Sequence, residues 1–167
     1  LALQEGALYD SSQIKKSRSK LQRLNYFSEV EIGSQRVPEE DLVNLEVKVK
    51  EKQTGSFSGG GGFSSQQGVF LVGRVTQRNL FGKGWAVAGE GVVGTERSDV
   101  SFSFTEPRLL DTKLGTTLEV LNKFQNFDTF NLDTRSGAIR LGYPLSDHLS
   151  FSLGYSYEEN ELTGLKL

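Results

Sequence analysis

The sequence predicts two unlike parts in one chain: a small α+β unit over residues 1–53, then antiparallel strands over 54–167 with the pattern of a transmembrane β-barrel. Three observations predict this. Residues 1–52 carry most of the lysines and include a helix-period stripe. From Thr54 onward the chain is rich in Gly, Ser, Phe and Thr, with apolar residues at alternate positions. Finally, no window holds the roughly 18 consecutive apolar residues that a transmembrane helix requires, so any spanning elements must be strands.

In the module, Leu1 to Glu5 reads as the end of a helix, with Gly6 where a left-handed residue closes it. Asp10 or Ser11 caps the next helix, which places Ile14, Ser17, Leu21 and Leu24 on one stripe and leaves Lys15, Lys16, Arg18 and Lys20 solvated. Tyr26 to Gly33 alternates in part, with Val30 and Ile32 against Glu29 and Glu31. A turn through Arg36 to Asp41, containing Pro38, leads to a second strand, Leu42 to Lys50, where Val43, Leu45, Val47 and Val49 oppose Asn44, Glu46, Lys48 and Lys50.

The second part reads as about seven strands. Leu149, Phe151, Leu153, Tyr155 and Tyr157 oppose Ser150, Ser152, Gly154 and Ser156. Val100, Phe102 and Phe104 alternate with Ser101, Ser103 and Thr105, and Gly137, Ile139, Leu141 and Tyr143 oppose Ala138, Arg140 and Gly142. Weaker patterns lie at Phe57 to Phe63, Val69 to Thr76, Trp85 to Val93 and Leu114 to Leu121. A soluble β-sandwich also alternates, with its apolar face turned inward. The connections favour an up-and-down barrel: Ser64 to Gly68, Gly94 to Asp99 and Asn122 to Arg135 would share one end, and Gln77 to Gly84, Glu106 to Lys113 and Pro144 to His148 the other. Phe81, Trp85, Tyr143, Tyr155 and Tyr157 near strand ends fit a membrane interface.

No catalytic constellation is present. His148 is the one histidine in the sequence and sits beside Asp147 in a predicted turn, which leaves a Ser–His–Asp or His-based metal site little to build on. Glu39, Glu40, Asp41, Glu158, Glu159 and Glu161 are expected in turns or loops. With no cysteine there is no thiol chemistry. Nineteen basic against 21 acidic residues leave a net charge of −2, which gives no footprint for nucleic acid. Gly59 to Gly62 is followed by no GK[ST] and no helix is expected to begin there, so a phosphate loop is not expected. A strand with four glycines either accommodates curvature or pairs weakly and can open, and these residues alone leave both readings standing. The sequence contains no methionine and no signal segment, and it stops just after a strongly patterned strand, so it is expected to be a fragment of a longer chain.

Glu5-Gly6-Ala7-Leu8-Tyr9, then Leu21-Gln22-Arg23-Leu24-Asn25-Tyr26-Phe27 followed by Val30, and the strand Leu45 to Glu51 resemble the last POTRA module of the BamA family of outer-membrane β-barrel assembly proteins. Thr54-Gly55-Ser56, Gln77-Arg78-Asn79-Leu80-Phe81-Gly82-Lys83-Gly84 and Thr105-Glu106-Pro107 resemble the opening of that family's barrel. The resemblance implies an outer-membrane insertase without ATP or cofactor, its POTRA part in the periplasm of a Gram-negative cell. Its implied partners are unfolded outer-membrane β-barrel clients, accessory outer-membrane lipoproteins of the assembly complex, and the lipid bilayer. Carried onto this chain, Ser56, Phe57, Ser58, Gly59, Gly60, Gly61, Gly62 and Phe63 would be the gate strand. Glu29, Val30, Glu31 and Ile32, within Tyr26 to Gly33, would be an edge suited to adding a client or partner strand. The first strand and longer first helix of a POTRA module, and more than half of the barrel strands, are not in this sequence. The competing expectations are a POTRA-barrel transporter of the two-partner secretion type and, from a different class, a soluble β-sandwich binding protein.

Overall fold

The structure, a computed structural model, describes residues 5–38, 42–65, 68–146 and 148–165. The helix end expected at Leu1 to Glu5 (apart from Glu5), the acidic run Glu39 to Asp41, and Asp147 lie outside them. The chain divides into two compact units, Leu1–Thr54 and Gly55–Leu167.

In the first unit, helix α1 spans Ser11–Leu24. Asp10 is its cap: the extended backbone turns the carboxylate onto the Ser12 amide at 2.8 Å, satisfying one of the donors that a helix N-terminus leaves free. Asn25, left-handed at φ 59°, ends the helix, and its amide donates to the Gln22 carbonyl. Ser17 is fully buried and Ile14 and Leu21 are half-buried, as the stripe predicts. Leu24 is exposed, standing in the last turn where the chain reverses. The helix packs on β1 (Phe27–Arg36), which pairs antiparallel with β2 (Val43–Glu51). Register sets Val30 opposite Val49 and Ile32 opposite Val47, so the apolar alternates of both strands share one face. β1 extends three residues past the expected Gly33, because its ladder with β2 continues through Arg36 opposite Val43.

The second unit is one open antiparallel sheet of seven strands in sequence order: β3 (Gly55–Ser64), β4 (Gly68–Leu80), β5 (Trp85–Gly94), β6 (Arg97–Glu106), β7 (Gly115–Asn126), β8 (Asn131–Pro144) and β9 (Ser150–Thr163). The strands run further than the alternation predicts. The expected loop Asn122 to Arg135 shrinks to residues 127–130, and Gly94 to Asp99 to residues 95–96. Glu158, Glu159 and Glu161 are corrected from loop to strand, paired with Ser136, Arg135 and Asp133. Their polarity resembled a connection, but a neighbouring strand that carries its own ladder to this height holds them extended.

Large apolar residues crowd one face. A single row across the sheet joins Phe57, Val75, Gly89, Phe102, Val120, Gly137 and Tyr157. On β3 the exposed apolar side chains of this face lie between Phe57 and Phe63, on one side of the row; on β9 they run from Phe151 to Tyr157, on the other. The apolar band therefore slips about one residue per strand. At about 3.4 Å per residue and about 4.8 Å between strands, that slip tilts the strands by roughly 35° from the normal to the band, the tilt of membrane barrels. On the opposite face Arg74 meets Glu90 at 3.7 Å, Arg97 binds Asp99, and Arg140 approaches Glu119 at 4.0 Å. There Thr134 donates to Asn160 at 2.6 Å, and Asn160 donates to Glu158 at 2.8 Å. Beyond the band's far edge, Asp133 with Arg135, and Glu159 and Glu161, take over the apolar face.

Candidate functional site

Two strand edges that no other strand covers among the described residues stand where the sequence places candidate residues. The first is β3. Gly55 to Ser64 pairs with β4 residue for residue, from Gly55 opposite Gln77 to Ser64 opposite Gly68, with no bulge. No strand pairs with its other edge among the described residues. Phe57 and Phe63, 77% and 75% exposed, bracket the glycine run on the apolar face.

The four glycines are not equivalent. A Cβ on Gly59 would find its nearest atoms at 3.6 Å or more, and one on Gly60 would meet Val72 Cγ1 at 3.9 Å, ordinary contact distances. A Cβ on Gly61 would stand 2.8 Å from Leu71 Cδ2 and 3.0 Å from the Phe70 carbonyl oxygen, and one on Gly62 would stand 2.9 Å from the Phe70 ring. β4 thus lays Leu71 over Gly61 on one face of the strand and the Phe70 ring over Gly62 on the other, cross-strand cover for edge glycines that have no side chains of their own. Periodicity identifies the strand; it carries no sign of this division, which depends on cross-strand register.

The second edge is β1. Among the described residues it pairs only with β2, and it carries Glu29, Val30, Glu31 and Ile32. Val30 is buried and Ile32 half-buried on the helix side, while Glu29 and Glu31 are exposed. The ladder shifts register between Phe27 and Glu29, where the Ser28 hydroxyl donates to the Lys50 carbonyl at 3.2 Å. Glu29 faces Lys50 at 3.8 Å, a solvated pair of little energetic consequence. The strand is therefore held by α1 and, along one edge, by β2, and among the described residues no strand pairs with its other edge. The two edges lie in different units.

His148 lies in the connection between β8 and β9, its amide donating to the Ser146 hydroxyl at 3.3 Å. Among the described residues no group of three or more His, Cys, Asp or Glu is arranged to hold a metal ion, and no helix is long and apolar enough to cross a membrane.

Comparison with known proteins gives these features a context. The family model described as the Omp85 superfamily domain matches residues 79–165, and the POTRA model, described as a surface antigen variable number repeat, matches residues 1–52. Relatives named outer membrane protein assembly factor BamA include one from Nitratidesulfovibrio vulgaris, 31% identical over 97% of this chain and 20% of its own length. Another, from Neorickettsia risticii, is 31% identical over 93% of this chain and 21% of its length. This chain spans about a fifth of these relatives. The crystal structure of BamA from Haemophilus ducreyi lacking POTRA domains 1–3 superposes with a TM-score of 0.81 at 26% identity, covering 97% of this chain and 32% of that one.

Proposed function

The chain belongs to the Omp85 superfamily, and on that premise we propose that it is the part of an outer-membrane β-barrel assembly factor in which the last periplasmic module meets the first barrel strands. Residues 1–53 are the POTRA portion in the periplasm, and residues 54–167 cross the bilayer with the apolar face of the sheet toward lipid. The whole protein receives unfolded outer-membrane barrel chains and acts with accessory lipoproteins. It does so by offering backbone edges and not by covalent catalysis, so it needs neither an active site nor a cofactor.

The observation that carries this reading is the exposed edge of β3 beside an intact β3–β4 ladder, in a sheet whose outer face is apolar. Unpaired N–H and C=O groups at membrane depth are costly, because no water is available to satisfy them. A strand that carries them gains by pairing with any strand that arrives, and a client strand does this while entering the bilayer. Gly59 to Gly62 brings no side chains to that edge, so an incoming strand meets little steric selection there. In the periplasmic portion, Glu29 to Ile32 offers a second edge of the same kind, suited to holding a client or partner segment in extended form.

Disulfide crosslinking in the full-length parent protein tests the gate, with one cysteine placed within Ser56 to Phe63 and another in the terminal strand of a client arrested during assembly. The expected result is a set of crosslinks that steps with strand register. Crosslinks only within the parent, together with normal client assembly when the seam is locked, would overturn it.

A further inference from the structure

At the end of the sheet where β3 begins, two connections carry apolar residues in an unusual setting. In the first, residues 81–84, Phe81 is the residue after the last ladder pair, Leu80 opposite Trp85. It is 80% exposed and left-handed, at φ 55°. In the second, residues 107–114, Leu110 is 85% exposed and left-handed at φ 52°. A bulky residue in this conformation is strained by its own Cβ, and a large apolar side chain in water adds a second penalty. Glycine would avoid both at once, and each turn already uses other means of closure. Asn79 accepts from the Gly84 amide through Oδ1 at 2.9 Å, and the Thr112 hydroxyl donates to the Leu109 carbonyl at 2.7 Å while accepting from the Leu114 amide at 3.1 Å. The side chains of Phe81 and Leu110 are not needed to build the turns.

Both tips stand just beyond the apolar band. Trp85, on the apolar face, stacks edge-on against Phe104 at 5.6 Å, and Lys83 Nζ lies 4.7 Å over its ring. Phe104 opposite Leu118 is the last apolar pair on that face before the second connection begins. The two connections carry Lys83, Arg108 and Lys113 against Asp111, an excess of cations beside the exposed apolar tips. A headgroup layer offers this arrangement a complement, with an acyl boundary for Phe81 and Leu110 and phosphates for the cations.

We propose that Phe81 and Leu110 are membrane anchors, inserted into the periplasmic-side headgroup and acyl boundary of the bilayer, where they fix the depth of the first strands. This rests on the reading that residues 54–167 cross a membrane. Burying one such side chain changes a partition equilibrium by roughly 10- to 100-fold.

The test uses the full-length parent in phospholipid nanodiscs, with single cysteines bearing a spin label at Phe81, Leu110 and, as a mid-band control, Val120. Collision with oxygen, which is enriched in lipid, is compared with collision with a water-soluble nickel complex, on protein first shown to be folded by its retained gel mobility without heating. The expected result is that the labels at 81 and 110 favour oxygen as the label at 120 does. Labels at 81 and 110 that favour nickel while 120 favours oxygen would overturn the anchors and leave the membrane reading intact. Shielding of 81 and 110 from both reagents would identify a protein partner in place of lipid and also overturn the proposal. A control at 120 that itself favours nickel would sink the membrane reading and the anchors with it.

Discussion

Replacing Gly60 and Gly61 in turn by alanine separates two roles for the glycine strand. The positions are adjacent, both extended and both in the β3–β4 ladder, yet their surroundings differ: the nearest atom to an added Cβ lies at 3.9 Å for Gly60 and at 2.8 Å for Gly61. Removing a glycine where the backbone suits alanine stabilises by about 0.4–1 kcal/mol, by restricting the unfolded chain. Gly60→Ala should keep that gain. Gly61→Ala must displace the Leu71 side chain and also press on the Phe70 carbonyl, which cannot rotate away, and overpacking of this kind costs about 1–3 kcal/mol. The two variants should therefore differ by about 2 kcal/mol, with opposite signs relative to the parent. Urea unfolding of the full-length protein from lipid vesicles, followed by the loss of the compact gel form, reads this difference. Equal midpoints for the two variants would refute the packing argument. The same pair probes the gate: if β3 works by parting from a neighbour, Gly60→Ala should slow client insertion although it raises stability. Unchanged insertion by a stabilised Gly60→Ala protein would remove the glycine run from the mechanism.

Three further outcomes are expected. Val120→Lys, in the middle of the apolar face, should reduce folding into vesicles by about 2–4 kcal/mol, whereas Glu161→Lys, beyond the band on the same face, should cost about 0–1 kcal/mol; parallel folding titrations decide it. Asn79→Ala should destabilise the β4–β5 turn by about 2 kcal/mol, from a lost acceptor and a left-handed backbone, and Asn79→Gly should recover about half. The Ser12 side chain and amide hold the Asp10 carboxyl below the ordinary carboxylate range. A depressed folded value means that the contribution to stability is present above about pH 4, the unfolded value, and is lost as the pH falls through the folded one. Amide exchange in the first turn of α1 should rise over that acidic range in the parent, and Asp10→Ala should show the raised exchange at neutral pH.

Much of this architecture is legible from residue order alone, since side chains alternate by geometry in any strand. Phe102 opposite in parity to Ser101, or Tyr155 to Ser156, reports a two-faced sheet from residue order, and a cap at Asp10 or Ser11 with the Ile14, Ser17, Leu21 and Leu24 stripe announces α1 in the same way, although only the fold selects Asp10 and leaves Leu24 exposed. Those patterns are local. The chain beyond the apolar band carries no such signal: Glu158 to Glu161 look like a loop, and their neighbours on β8 make them a strand. The candidate edges are partly legible, because a glycine run and a POTRA-like strand can be named from sequence. Which side of β3 is covered, and which glycines are closed to a side chain, are not. Those depend on Phe70 and Leu71 in another strand. Nor does alternation alone distinguish a sandwich from a tilted barrel wall, since both present the same parity along each strand. The distinction lies in register, where Phe57 shares a row with Tyr157 while the apolar residues slip one position per strand. Residue order carries the period and the two faces of each strand, because these follow from each residue's own backbone and neighbours. The tilt, the edges left uncovered among the described residues and the left-handed tips at Phe81 and Leu110 belong to the folded sheet, because each depends on the register of one strand against the next and on the geometry of the turn between them.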